Sequence, residues 1–449
     1  MAAPRCSRIV GCVSTIGLFF FAATARAEDT ARTLFAFDEP TATNAWVAVN
    51  GLPLVLGTPP EAAAANVGPS GTAAHLKAAA AGGLYAKRDA TPLDWTKVRT
   101  VTFWAYRSAE AAAAGAATPI EVQFVEADGK TRFWRKIDLN HAGWKQYEVP
   151  LRWCRWSQGR IPQWSRVVRI GFWCREAGEF WIDDVAVIES TEADAAELSA
   201  EELRDFAFPG AGAKARLEKG KSVTLITDIA ELDAPQLAAH LDKAVAAVAA
   251  DMPFLGETQA GRIVLFADRT AYQQFTVRTA EKLNSAAQPP TSGGFTFWGI
   301  ATSFWDPAYG TLRPVYLHEF VHSYLDSALQ LDNSGEWLHE GMASHYQLRF
   351  HPQGNFGEIV RNGISDPGNF QPLETLLNGK KIELNAYWQA ATLVDMLLHD
   401  DAYRPKLPGL FNAFREAGST DLGPQLQTYL GKTFEELTAD WQAFCKRTY

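Results

Sequence analysis

Cysteine is scarce in this chain, with five in 449 residues, and two of those, Cys6 and Cys12, fall in an N-terminal segment with the anatomy of a secretory leader. That segment carries Arg5 and Arg8, an apolar run around Ile16 to Ala23, and Ala25-Arg26-Ala27 ahead of Glu28. A basic start, an apolar middle and a small-x-small end predict cleavage after Ala27 and a secreted or periplasmic product. Only Cys154, Cys174 and Cys445 then remain, too few for a disulfide-dense scaffold. Cys154 and Cys174 keep two readings, a bridge between strands or a pair of buried thiols. Positive charge is also short, 42 Lys and Arg against 51 Asp and Glu. Loss of the leader removes three basic and no acidic residues, deepening the formal charge from −9 to −12. An acidic chain without a basic stripe disfavours nucleic acid and anionic membrane as partners. Beyond the leader no run is long and apolar enough to span a bilayer, so no transmembrane anchor is expected. No repeat of fixed period is present.

What the chain does have changes character partway along. Ten of its 15 tryptophans precede residue 190. In that part short alternating segments follow one another: Leu34 to Phe37, Thr100 to Tyr106, Glu121 to Val125, Arg132 to Leu139, Arg169 to Cys174 and Phe180 to Val187. Asp128-Gly129 marks a hairpin between two of them. This pattern predicts an all-β sandwich over residues 28–190. Ala-rich stretches near Glu61 to Ala65 and Ala111 to Ala117 read as loops within it. The acidic, Ala-rich stretch from Glu189 to Arg204 reads as a linker helix, and residues 191–220 as the linker. In residues 221–449, Val223 to Ile226 and Ile263 to Phe266 read as strands and Pro235 to Ala250 as an amphipathic helix. After residue 312 the pattern is almost wholly helical. The expected architecture is therefore multidomain, a β-sandwich followed by an α+β domain with a small mixed sheet and a helical bundle.

The chemistry concentrates at His318-Glu319-Phe320-Val321-His322, followed eighteen positions later by Glu340 within Trp337-Leu338-His339-Glu340-Gly341-Met342-Ala343. Tyr309-Gly310 suits a turn and Pro314 a helix start, and the surrounding Val315, Leu317, Phe320, Val321, Tyr324 and Leu325 predict a buried helix. Residues four apart share one helix face, so His318 and His322 can point two imidazoles at one ion, with Glu319 beside them as a base. A catalytic zinc takes three protein ligands and keeps a fourth position open, and Glu340 is the candidate third ligand. The competing reading is a pair of core histidines hydrogen-bonded to neighbours.

His-Glu-x-x-His followed by Trp-Leu-x-Glu-Gly-x-Ala resembles the gluzincin branch of zinc metallopeptidases, over roughly residues 220 to 449. The resemblance implies zinc on His318, His322 and Glu340, Glu319 as general base, and a peptide or protein substrate. The metzincin pattern is excluded, because Leu325 and Ala328 stand where it requires Gly and His. Gluzincins of the thermolysin kind place an Asp four residues after the ligand Glu; here that position is Ser344, so Ser344, Asp326 or a backbone carbonyl must orient a ligand histidine. His339 and His345 flank Glu340; a substrate-facing role is one reading for either, and a solvated surface position is the expectation for His339. The resemblance also implies a tyrosine after the ligand Glu as donor to the developing oxyanion. Tyr387 is the candidate, with a packed tyrosine at a helix start as the alternative. Gly293 to Ile300 reads as a strand, and in similar peptidases an edge strand pairs with extended substrate. An ordinary aromatic-rich strand or hairpin is the other reading.

The order of the N-terminal strands, from Phe35-Ala36-Phe37-Asp38 to Phe180-Trp181-Ile182-Asp183-Asp184-Val185, loosely resembles a carbohydrate-binding, galactose-binding-like jelly roll. That resemblance implies a glycan partner held on surface tryptophans, against a purely core role for them. It also brings in a structural Ca²⁺ at Asp183 or Asp184, against simple strand-end solvation. Two functions follow: a secreted zinc peptidase, with or without glycan targeting, or a glycan-binding envelope protein whose metal-binding domain is catalytically silent.

Overall fold

The computed structural model of the protein describes residues 29–449 apart from 51–52, 60–67, 70, 89, 91, 116, 211–214 and 257. The expected leader and the Ala-rich stretch at 61–65 lie outside the described residues. Among the described residues of the N-terminal half there are twelve strands: β1 (Thr30–Phe35), β2 (Trp46–Val49), β3 (Leu54–Gly57), β4 (Ala73–Ala78), β5 (Gly82–Ala86), β6 (Val98–Arg107), β7 (Thr118–Glu126), β8 (Arg132–Leu139), β9 (Gly143–Pro150), β10 (Arg155–Trp156), β11 (Val167–Cys174) and β12 (Gly178–Glu189). They form two antiparallel six-stranded sheets. One runs β3-β4-β12-β6-β9 with β1 also on β12; the other runs β10-β8-β7-β11-β5-β2. Alternation along the strands turns Val101 and Phe103 of the first sheet toward Ile170 and Phe172 of the second, with the Phe103 and Phe172 rings 5.2 Å apart edge to face. Each large apolar side chain buried in this way contributes about 1.5–3 kcal/mol. Gly129, at φ +72, closes the β7–β8 hairpin, and Asp128 accepts from the Lys130 and Thr131 backbone N–H groups. The stretch after Arg107, expected as a loop, instead winds into the short helix α1 (Ala109–Ala113), capped by Ser108.

The three described cysteines are all free and buried. Cys154 lies beside β10 and Cys174 ends β11, and β8 and β7 stand between those two strands. Three strand spacings of about 4.8 Å each put the thiols far beyond disulfide reach, so the bridge reading is corrected to two buried thiols. Burial pushes them up to about 12 for Cys154 and about 11 for Cys174.

β12 runs to Glu189, and a turn whose Ala196 and Leu198 are buried follows it. The helix expected from Glu189 therefore forms only at α2 (Ala200–Ala207), where Ser199 and Glu202 make a reciprocal capping box. The next sheet contains β13 (Arg216–Lys219), β14 (Val223–Thr227), β15 (Gly261–Phe266), β16 (Gly294–Phe297) and β17 (Ile300–Phe304), in the order β13-β14-β15-β17-β16. Its three central strands are parallel; β13 and β16 are antiparallel edges. Around it lie α3 (Ala234–Asp251), α4 (Arg269–Lys282), α5 (Pro314–Leu329), α6 (Trp337–Phe350), α7 (Phe356–Ser365), the one-turn α8 (Leu373–Leu376), α9 (Tyr387–His399), α10 (Leu407–Ala417), the single turn α11 (Gly423–Gln425) and α12 (Phe434–Thr448). The molecule is thus a β-sandwich followed by a mixed sheet and a largely helical C-terminal region.

The two parts are joined by more than the chain. Trp298, in the β16–β17 turn, stacks on Trp153 and lies near Trp156, at 5.4 and 6.1 Å. The Trp156 indole donates to Asp332 at 2.8 Å, and the Asp332 N–H donates to the Gly159 carbonyl at 2.7 Å. The β10 end of the sandwich thereby braces the loops that border the cleft described next.

Candidate metal centre

α5 begins with Pro314 at its first position, where a missing N–H costs nothing, and ends at Gln330 in the left-handed region at φ +56. Tyr316, Leu317, Phe320, Val321, Tyr324 and Leu325 are buried, which fixes the helix against the sheet. Phe320 packs where a β-carbon on Gly261 would lie 2.7 Å from its ring. With that face buried, His318 and His322 project one turn apart toward a cleft. α6 supplies the opposing ligand. Glu336 caps it, accepting from the Leu338 and His339 N–H groups, and Glu340 follows one turn later. Gly341 permits the close approach of α6 to α9, since a β-carbon there would sit 2.8 Å from the Ala390 carbonyl oxygen.

The two helices bring His318 Nε2, His322 Nε2 and Glu340 Oε2 together. The nitrogens are 3.2 Å apart, and the carboxylate oxygen is 3.3 Å from His318 and 3.4 Å from His322. These edges are too long for good hydrogen bonds to a carboxylate, yet they match one face of a tetrahedron whose centre lies roughly 2.0–2.1 Å from each corner, the zinc–ligand distance. Glu340 Oε2 is buried with no hydrogen-bond partner among the described residues. Both observations fit a divalent ion. The two imidazoles hold the Glu340 carboxyl well below its usual range against the opposing effect of burial.

Glu319 lies beside this triangle, buried, with its pKa raised chiefly by desolvation. Thr296 on β16 holds it, its hydroxyl lying 2.7 Å from Glu319 Oε2 and 2.9 Å from the Glu319 carbonyl. Tyr387 opens α9, its ring parallel to that of His318 with centroids 6.2 Å apart, and its phenol stands close enough to the Glu340 carboxylate to feel its charge. Burial raises the phenol pKa first, and the nearby carboxylates raise it further, so the hydroxyl stays protonated. The site opens into a cleft of about 830 Å³, with β16 as one wall and Phe356, Ile359, Leu384 and Trp388 among its apolar lining. Of the two readings of Gly293 to Ile300, a single strand or a hairpin, the structure has the hairpin, β16 turning at Trp298-Gly299 into β17, and β16 is an edge.

His318, His322, Glu340, Glu319 and Tyr387 therefore all border one cleft. Other expectations are corrected. His339 is fully buried, with Nδ1 bonded to Glu336 and Nε2 3.8 Å from Asp326, so it clamps the α6 N-terminus instead of meeting solvent. Ser344 lines the cleft, and burial raises Asp326 to about 7. Neither orients His322, whose Nδ1 is buried without a hydrogen-bond partner among the described residues. Gln347, two turns after Glu340, lines the same cleft beside His318. Gln347 and the Thr296 contact to Glu319 were missed in the sequence; the seven-residue spacing of Gln347 from Glu340 was the available signal, and the Gly293-Gly294 pair was read only as allowing close approach of substrate.

In the sandwich, Asp183 is buried and its Oδ1 accepts from the Phe37 and Asp184 N–H groups at 3.2 and 2.8 Å. Desolvation first, then Asp184 and Asp38, raise it to about 6. It has a backbone-clamping role whether or not a cation joins it.

No family model matches the chain, and no curated protein matches it. Among solved structures it is similar to a family 11 carbohydrate-binding module from Clostridium thermocellum, at 17% identity and TM-score 0.27, covering 36% of this chain and 97% of the module. It is similar to a xylan-binding CBM22 domain from Paenibacillus barcinonensis at 12% identity and TM-score 0.25, covering 36% of this chain and 97% of that domain. An agarase matches at 13% identity and TM-score 0.27, over 49% of this chain and 31% of the agarase. These likenesses assign neither ligand nor activity to the chain, which carries a β-sandwich, a helical C-terminal region, a set of three metal-ligating side chains at the cleft, and no described helix long and apolar enough to cross a membrane.

Proposed function

We propose that the protein is a secreted or periplasmic zinc-dependent peptidase of gluzincin type. The observation that carries this reading is the triangle of His318, His322 and Glu340, with edges of 3.2, 3.3 and 3.4 Å and the buried Glu319 at its side. Zinc bound there supplies Lewis acidity toward a carbonyl and lowers the pKa of water. The chain supplies the rest. Glu319, steadied at Oε2 by Thr296, takes a proton from the attacking water and returns it to the leaving amine. Tyr387, kept protonated, donates to the oxygen that gains charge. The free edge of β16 receives an extended peptide backbone, and the apolar cleft wall takes its side chains. The test is a mass-spectrometric digest of a peptide library by the purified protein with zinc and with chelator. Cleavage lost on chelation and restored by zinc is expected; no cleavage under either condition overturns the reading.

A second reading is favoured by the outer face of the sheet β10-β8-β7-β11-β5-β2. There Tyr85 donates to Gln123 at 2.6 Å, Gln123 donates to Glu121 at 2.7 Å, and Arg155 and Arg175 flank the Trp134 ring at 4.6 and 5.4 Å. Tyr85, Gln123 and Glu121 are themselves buried, so the half-buried Trp134 and Trp173 on this face are the rings a sugar would stack on. On this reading the sandwich binds a glycan, alone or as targeting for the peptidase. Titration calorimetry of the full chain against a glycan panel tests it, and absence of heat with every sugar removes it. A purely structural metal domain is disfavoured by the three-ligand set beside Glu319, since structural zinc is closed by four ligands.

A further inference from the structure

Outside the cleft a second group of metal-ligating side chains stands where three helices meet. Asp251 ends α3, His345 lies on α6, and His399 ends α9; one ligand atom from each lies within 4.8 Å of the others. We propose that these three residues form a second cation site, distinct from the cleft centre, which takes a divalent first-row ion such as Zn²⁺.

The hydrogen bonding around the group leaves atoms free for an ion. Asp251 Oδ2 is already taken by the Tyr346 hydroxyl at 2.9 Å and by Arg349 at 2.7 Å, which turns Oδ1 toward His399. His399 Nδ1 is bonded to Asp395 Oδ1 at 2.8 Å, the carboxylate–imidazole arrangement that fixes the tautomer of a metal-binding histidine and frees its Nε2. That Nε2 stands 3.7 Å from Asp251 Oδ1, too long for a hydrogen bond and close to the roughly 3.3–3.6 Å that separates two ligands of one zinc ion. His345 is 9% exposed, and its Nε2 is buried with no partner among the described residues. A simple network of ion pairs would leave that buried ring unsatisfied, a cost that a shared cation removes. A hollow of about 250 Å³ borders His345 and Asp395 and gives access from solvent.

The site is too far from the first to be one half of a two-metal centre. His345 follows Glu340 by five residues, about 7.5 Å of helix rise, whereas paired catalytic ions sit roughly 3.5–4 Å apart. Its effect is on the scaffold. An ion there ties α6, which carries Glu340, to α9, which carries Tyr387, and both to the end of α3.

The test strips the full chain with chelator, dialyses it against buffered Zn²⁺ and counts bound zinc by atomic emission. Wild type should hold about two ions, and His399→Gln, His345→Gln and the cleft variant His322→Ala about one each. Melting curves of each metal-free variant beside metal-free wild type check that the variant is folded at the dialysis temperature, so that any loss is of metal and not of fold. A wild-type count that His399→Gln leaves unchanged overturns the second site. A wild-type count near one that His399→Gln abolishes and His322→Ala leaves in place supports the second site and overturns the cleft centre.

Discussion

Gly294 and Glu319 are matched by volume: a β-carbon on Gly294 would lie 2.5 Å from Glu319 Cγ and 2.8 Å from its Oε1. The edge strand therefore has glycine where the general base needs room. Gly294→Ala should push the Glu319 carboxylate out of place and lower kcat on the order of ten-fold or more while bound zinc stays at the wild-type level. Steady-state kinetics beside metal analysis checks this; unchanged kcat would mean that Glu319 tolerates displacement and is not the base.

Tyr387 offers a separable test of the donor role. Tyr387→Phe keeps the ring parallel to His318 and removes only the hydroxyl. If that hydroxyl stabilises developing charge, kcat should fall about 10²–10³-fold with KM nearly constant. A tyrosine that merely packs at the start of α9 would leave kcat where it was.

His339 has a structural role in this account. It is buried against Glu336, which also accepts from Thr420 at 2.7 Å and caps α6. His339→Ala strands the Glu336 carboxylate in the interior and should cost about 3–5 kcal/mol of stability in denaturant titration. A solvated histidine would cost almost nothing.

Asp183 gives the sandwich a pH dependence whose sign is fixed by burial. Its folded pKa of about 6 lies above the value of an unfolded aspartate, so folding binds a proton between those two values. Stability should fall as pH rises from about 4 to about 6, by on the order of 1–3 kcal/mol, and then level off. Asp183→Asn, which can still accept from Phe37 and Asp184, should flatten that fall in chelator-treated protein. Melting curves across the range would reveal a persisting slope if another group were responsible.

The chemistry at His318, Glu319 and His322 was legible because helical periodicity alone puts residues four apart on one face, and Pro314 marks the helix start. Glu340 was legible from a resemblance, since nothing in its own segment states that α6 packs on α5. The strands of the sandwich showed through alternation, but the sheet order that separates Cys154 from Cys174 did not. Trp298 hid the β16–β17 turn, because a tryptophan at φ +54 is not a turn signal. His339 read as exposed because Asp326, which faces its Nε2, and Thr420, which holds its partner Glu336, come from other elements. Asp251, His345 and His399 were out of reach for the same reason: their meeting depends on how α3, α6 and α9 pack, which no local pattern encodes.

The central claim is tested most directly by comparing zinc-loaded wild type with zinc-loaded Glu319→Gln on the same peptide library, with metal content measured on both. The account predicts equal zinc at the cleft, cleavage by wild type and turnover below detection in the variant. Cleavage by Glu319→Gln at the parent rate, or a wild type that holds zinc at His318, His322 and Glu340 yet cuts nothing, would contradict it.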